Sequence, residues 1–152
     1  MEFERPQIVD FMNRYFRAYS TVAQNPETTN EMHAFYSPDF KVTLFFPQRV
    51  VLNREQFLLV SSSHPHILET LIPEHIIADD EVAMAAALIR GELTVKETSE
   101  VILQMMFIAH YQLISDENKT MKIKDLWISA ENMPPGQPDI ASLYEDAFKQ
   151  LQ

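Results

Sequence analysis

An acidic side chain, Asp125, stands near the end of the chain in the otherwise apolar and basic stretch "MKIKDLW". Side chains of a strand alternate between its two faces. Lys122 and Lys124 would then occupy one face, and the other would carry Met121, Ile123, Asp125 and Trp127. An isolated carboxyl on an apolar inward face is suited to general acid or base catalysis. Pairing with a cation, or a position at a solvated rim, is the alternative.

Two phenols, Tyr15 and Tyr19, lie one helical turn apart in "PQIVDFMNRYFRAYSTVAQ". Pro6 at the first turn and Asn25-Pro26 at the end predict a helix over this stretch. Its apolar residues recur at steps of three and four, which predicts one buried stripe of Ile8, Phe11, Met12, Tyr15, Tyr19 and Val22. The phenols could contact a ligand, although core packing alone also explains aromatic residues at this spacing.

The histidines offer a weaker chemical signal. His64, His66 and Glu69 in "HPHILE" could bind a metal, but no third histidine or second carboxylate has a fixed spacing to them. Pro65 marks the stretch as a loop, so we interpret it as solvated and predict no metal site. His75 falls on a predicted strand whose two faces are equally apolar, so the pattern does not say which way it points.

Composition excludes several classes of function. The chain has 152 residues, and its 12 basic and 22 acidic residues give a net charge of −10, which disfavours nucleic acids and anionic membranes. No cysteine is present and only two glycines, so thiol chemistry and glycine-rich phosphate loops are excluded. We expect no cofactor. The acidic start "MEFERPQIVDF" does not resemble a secretory signal, and we predict a cytoplasmic protein.

The order of elements predicts an α+β fold in a single domain spanning residues 1–152. A second, shorter helix over about 27–36 should stop before Pro38, and "KVTLFF" reads as a strand. Asn53 is a plausible N-cap for a third helix. Long strands follow, with a bulge or bend expected at Gly91, and a short helix is predicted from about 139. A chain in which helices are followed by antiparallel strands is typical of this class, and its helices cover one face of a curved sheet.

Three phrases carry a resemblance to a known group of proteins. They are "HAFYSPDFKVTLFFP", "IIADDEVAMAAALIRGEL" and "IAHYQLISDENKTMKIKDLW". In order and content they resemble the nuclear transport factor 2-like superfamily, which includes SnoaL-like polyketide cyclases, ketosteroid isomerases and scytalone dehydratases. The resemblance implies a cone in which a curved, mostly antiparallel sheet wraps the N-terminal helices around an apolar pocket. It also implies a homodimer formed through the outer sheet face.

The two acids of the ketosteroid isomerases are missing from this chain. Their chemistry requires an aspartate base and a second, protonated aspartate. The first stands just before a proline, where this chain has Leu44, Phe45 and Phe46 ahead of Pro47. The second stands in an Ile-Asp-His-Phe phrase, which here has alanine, Ala109, in place of the acid. The resemblance therefore does not extend to steroid isomerase activity of that type.

The same comparison suggests which side chains line the pocket. If Ala109 faces the pocket as the matching aspartate does, alternation puts Met105, Phe107 and Tyr111 on its face and His110 on the other. An apolar and aromatic lining like that of the isomerases would include Ile123 and Trp127. Family members often supply a phenol from the first helix, which favours Tyr15 and Tyr19. Scytalone dehydratases use histidine, which makes a catalytic role for His75 conceivable.

Two functions follow as hypotheses. In the first, the protein is a cofactor-free cyclase, dehydratase or isomerase that acts by proton transfer on a small apolar molecule. Asp125 would be its acid or base, with Tyr15 as a hydrogen-bond donor. In the second, the same cone is a non-catalytic ligand-binding or dimerisation module. In both, the apolar outer residues Ile102, Met106 and Ile108 predict a homodimer.

Overall fold

The first helix confirms the predicted apolar stripe. The computed structural model describes residues 2–45, 49–62 and 67–131. Helix α1 spans Arg5–Gln24, and Glu4 and Gln7 cap its start reciprocally through their side chains and backbone amides. All six residues of the predicted stripe are buried, together with Phe16 and Ala23. The 3.6-residue period was therefore sufficient to orient this helix.

The second helix ends before Pro38, as predicted. A 3₁₀ helix spans Pro26–Phe35, and strand β1, Tyr36–Leu44, begins before Pro38. The helix end lies within one residue of the predicted one, whereas the strand begins before the predicted "KVTLFF" and includes Pro38. Proline lacks an amide hydrogen and is tolerated where strand pairing is irregular. The pairing of β1 with the last strand shifts register between Tyr36 and Lys41, and Pro38 lies within that interval.

The remaining elements form one mixed sheet with a short helix. They are β2 (Val50–Asn53), α2 (Arg54–Ser62), β3 (Ile67–Asp79), β4 (Met84–Val95), β5 (Val101–Ser115) and β6 (Met121–Ala130). The strand order is β2-β1-β6-β5-β4-β3, and only β1 and β6 pair in parallel. The predicted α+β class is confirmed. Asn53 caps α2, since its Oδ1 accepts the Gln56 amide at 2.9 Å.

The inner face of the sheet packs against the helices and forms the core. Along β5, the inner residues Met105, Phe107, Ala109 and Tyr111 are all buried and His110 is exposed, as alternation predicted. Residues 132–152, including the helix predicted from about 139, lie outside the described residues. Among the helices that are described, none is both long and apolar enough to cross a membrane.

A register shift in β6 overturns the predicted orientation of Asp125. Leu113 pairs with Ile123 but Gln112 pairs with Asp125, so Lys124 is an extra residue in β6. Alternation is reset at this point. Beyond it the buried Leu126 faces inward, whereas Asp125 points to the outer face. Trp127 shares that face, opposite His110 on β5. The predicted inward orientation of Asp125 and Trp127 is therefore wrong.

Candidate functional site

A cavity of about 70 Å³ lies between the helices and the inner face of the sheet. Most of its wall is apolar and is formed by Leu44, Phe57, Val60, Leu71, Ile89, Phe107, Leu126 and Ile128. Five polar or phenolic side chains complete the wall: Tyr15, Tyr19, Ser61, Glu69 and Tyr111. An apolar cavity with a few convergent polar groups is the usual form of a small-molecule site.

Helix α1 presents two of the phenols to the cavity from successive turns. Tyr15 packs edge-on against Tyr111, with ring centroids 5.7 Å apart. The Tyr15 hydroxyl lies 2.8 Å from the Tyr36 hydroxyl, and either can donate the hydrogen bond. If Tyr36 donates, the proton of Tyr15 is available to a ligand in the cavity, and the two hydroxyls act as a short polarised chain.

Burial controls the protonation of these phenols. It raises the pKa of Tyr15, Tyr19 and Tyr111 well above the usual tyrosine range, because the phenolate would lose its hydration. The negative charge of Glu69 raises the pKa of Tyr19 and Tyr15 further. The three hydroxyls are therefore protonated near neutral pH and can serve as hydrogen-bond donors to an oxygen atom.

Glu69 is the one acidic residue among the described residues that line the cavity. It lies on the inner face of β3, opposite Leu93 of β4, and only 7% of its surface is exposed. Its backbone carbonyl accepts a hydrogen bond of 3.1 Å from Gln24 Nε2, which ties this part of β3 to the end of α1. A buried carboxyl beside protonated phenols is a candidate proton acceptor or donor.

Sequence reasoning considered Glu69 only as a member of a histidine-rich loop and missed this position. The available signal was weak. Ile67, Glu69 and Leu71 alternate with Leu68, Thr70 and Ile72, but both sets are largely apolar. Periodicity therefore could not say which set faces inward. Leu71 lines the cavity beside Glu69, so the structure selects the first set.

The structure brings together only part of the predicted site. Tyr15, Tyr19, Phe107 and Tyr111 line the cavity, and their roles in binding stay predictions. Ile123 is fully buried in the core but does not line the cavity.

Three other predicted site residues do not reach the cavity wall. Asp125 and Trp127 lie on the outer face of the sheet, as described above. His75 is exposed on β3, opposite Leu88, just after a register shift at Pro73. Leu88, which pairs with His75, also pairs with the outward-facing Ile108 of β5. Paired residues of neighbouring strands lie on the same face, so His75 belongs to the outer face.

The metal hypothesis gains no support from the described residues. Within residues 2–45, 49–62 and 67–131, no three histidine, aspartate or glutamate side chains are grouped so that they could hold a metal ion. His64 and His66, the histidines considered for such a site, lie outside those residues.

Comparison with known proteins identifies the architecture. No protein-family model matches the sequence, and no curated protein matches it significantly. Solved structures do match. AusH from Aspergillus nidulans is 11% identical with a TM-score of 0.69, over 91% of this chain and 95% of that one. PrhC from Penicillium brasilianum is 10% identical with a TM-score of 0.65, over 97% and 89%.

A bacterial structure extends the comparison. A ketosteroid isomerase-like protein from Erwinia carotovora is 13% identical with a TM-score of 0.54, over 80% of this chain and 94% of that one. At these identities the likeness is one of fold.

Proposed function

Because the chain has the nuclear transport factor 2-like cone fold, we propose that it binds a small, largely apolar carbonyl compound and transfers a proton on it. The observation that carries this proposal is the convergence of Glu69 with protonated phenols in one apolar cavity. The reaction class would be isomerisation or a related lyase or cyclase step. No cofactor is needed for such chemistry.

The proposed reaction assigns one role to each group. The Glu69 carboxylate takes a proton from the carbon next to the carbonyl, and the electron pair of that C–H bond moves into the carbonyl as an enolate forms. Tyr15, supported by Tyr36, donates a hydrogen bond to the oxygen on which negative charge develops. The protonated Glu69 then returns the proton to the same or another carbon. Atoms and charge balance over the cycle.

The dimensions of the cavity indicate the size of the ligand. At about 70 Å³ it is much smaller than the roughly 300–1,000 Å³ typical of pockets for drug-sized ligands. A compact ketone is therefore the appropriate first probe. Apolar walls would hold its ring or chain, and the phenols and Glu69 would surround its carbonyl and the adjacent carbon.

Cyclopentanone in D2O provides a direct test. We expect the protein to bind it and to accelerate exchange of its α-hydrogens for deuterium above the rate in buffer, because Glu69 and Tyr15 stabilise enolate formation. Proton NMR measures the exchange, and ligand-observed NMR measures the binding. Binding without exchange would indicate the non-catalytic binding protein instead. The absence of both with this and other small ketones would contradict the proposal.

A second role, dimerisation, is supported by the outer face of the sheet. Ile77 is 70% exposed and Ile108 is 55% exposed, and both point away from the helices. Leu88 lies between their strands on the same face. Exposed apolar residues grouped on one face usually have a partner. We propose that a second copy of the chain covers this face.

Replacing Ile108 by Asp is expected to produce a monomer, since it would bury a charge at the centre of the proposed interface. Light scattering after size exclusion, at micromolar concentration, measures the mass. Leu59→Asp is the matched control, because Leu59 is 43% exposed but lies on α2 rather than on the sheet. A wild-type monomer, or equal effects of the two substitutions, would contradict the proposed interface.

A further inference from the structure

The aromatic ring of Phe107 belongs to the wall of the main cavity on the inner side of the sheet. The ring also belongs to a tightly packed apolar region formed with Gly91, Leu93, Leu103 and Met105, which leaves essentially no space even for a water molecule. Glu69, like Phe107, belongs both to the cavity wall and to this region. On this side the main cavity is therefore bounded by these two side chains, and the apolar region beyond them is closed.

The Phe107 ring packs directly against Gly91. A Cβ atom built at Gly91 would lie 2.4 Å from Cε2 and 3.2 Å from Cδ2 of Phe107, and the first distance is too short for any real contact. Gly91 pairs in register with Leu71 and with Met105, so the bulge predicted there is absent. The glycine is explained by the close approach of the ring rather than by a register shift.

We propose that Phe107 is a specificity-determining residue that sets the length of the ligand, and that Gly91 is its positioning residue. Resting on Gly91, the ring closes the main cavity to longer molecules. When the ring turns away, the volume that it vacates beside Leu93, Leu103 and Met105 extends the cavity and accepts an apolar chain. The ligand class is an unbranched alkyl ketone, with the carbonyl at Tyr15 and the chain directed toward Gly91. This inference rests on the proposed function of the same cavity.

The two residues should have opposite effects when changed. In Gly91→Ala the new methyl group pushes the Phe107 ring away from the strand and into the main cavity. The ring then occupies space that a ligand would fill, so the affinity for short ketones should fall at least about tenfold. In Phe107→Ala the volume of the ring is vacated, the cavity extends toward Leu93, Leu103 and Met105, and longer chains should bind. Each additional methylene buried contributes about a fourfold increase in affinity. The double variant should regain the binding lost in Gly91→Ala, because no ring remains to be displaced.

The experiment measures affinities for the series from butan-2-one to nonan-2-one by calorimetry or ligand-observed NMR. We expect the wild-type affinity to stop rising at a short chain and that of Phe107→Ala to continue to a longer one. Phe107→Leu, which retains more volume, serves if the alanine variant is unstable. Phe11→Ala is the matched control, since Phe11 is a buried phenylalanine outside the cavity wall. A length profile that is the same in wild type and both Phe107 variants would overturn the inference.

Crystal structures of wild type and Gly91→Ala separate this inference from the proposed function. If no ketone binds any variant, the proposed function fails, and the position of the ring still decides the role of Gly91. A Phe107 ring turned into the main cavity in Gly91→Ala supports that role. A ring that remains where it lies in the wild type, with the strand displaced instead, overturns it.

Discussion

Replacing Glu69 by Gln is expected to slow α-hydrogen exchange of a bound ketone by about 10²–10⁴-fold, the usual contribution of a positioned general base. Glutamine has nearly the shape of glutamate but cannot accept the proton. The apolar walls and the phenols remain, so the affinity for the ketone should change by only a few fold. Exchange rates by proton NMR and affinities by calorimetry, compared with the wild type, measure the two effects separately.

Asp125→Asn is the matched control for Glu69→Gln, because it makes the same chemical change on the outer face of the sheet. It should leave exchange and binding unchanged. If Asp125→Asn removed exchange and Glu69→Gln did not, the acid would be the one that the sequence pattern favoured, and the site would have to be sought on the outer face. Equal exchange rates in wild type and Glu69→Gln would remove Glu69 from the mechanism.

Stability is expected to fall steeply as the pH rises above about 10, the usual tyrosine pKa. Burial raises the folded-state pKa of Tyr15, Tyr19, Tyr36 and Tyr111 well above that of the unfolded chain. Between the two pKa values the folded protein retains protons that the unfolded chain has lost. The contribution of these tyrosines to the free energy of unfolding is thus fully present below about pH 10. It is lost as the pH rises toward the folded-state pKa, by up to about 1.4 kcal/mol per pH unit for each tyrosine.

Urea unfolding from pH 8 to 11 measures this dependence. Other groups titrate in the same range, so the informative quantity is the difference between wild type and Tyr111→Phe. The variant has one buried phenol fewer and should lose stability less steeply, by up to about 1.4 kcal/mol per pH unit. Parallel curves for the two proteins would mean that Tyr111 does not remain protonated in the folded state, contrary to the effect of burial on its pKa.

The sequence by itself determined those features of single helices and strands that depend only on residues close together in the chain. The stripe on α1 follows from the helical period, since all its members lie within one continuous helix. Asn53 begins α2 because a capping bond involves only residues three apart. The inner face of β5 follows from alternation once the family resemblance places Ala109 on it, because no register shift interrupts Met105 to Tyr111. From such elements the α+β class and four cavity residues, Tyr15, Tyr19, Phe107 and Tyr111, could be predicted.

The tertiary structure alone decided where the acid lies. Asp125 points outward because Lys124 is an extra residue in the pairing of β6 with β5, and an extra residue is defined only by the partner strand. Glu69 approaches tyrosines about fifty residues before it in the chain because β3 packs against α1, a contact that no local pattern encodes. The space at Gly91 likewise belongs to the Phe107 ring on a neighbouring strand. Local periods orient single elements, whereas register and packing between elements decide which side chains meet.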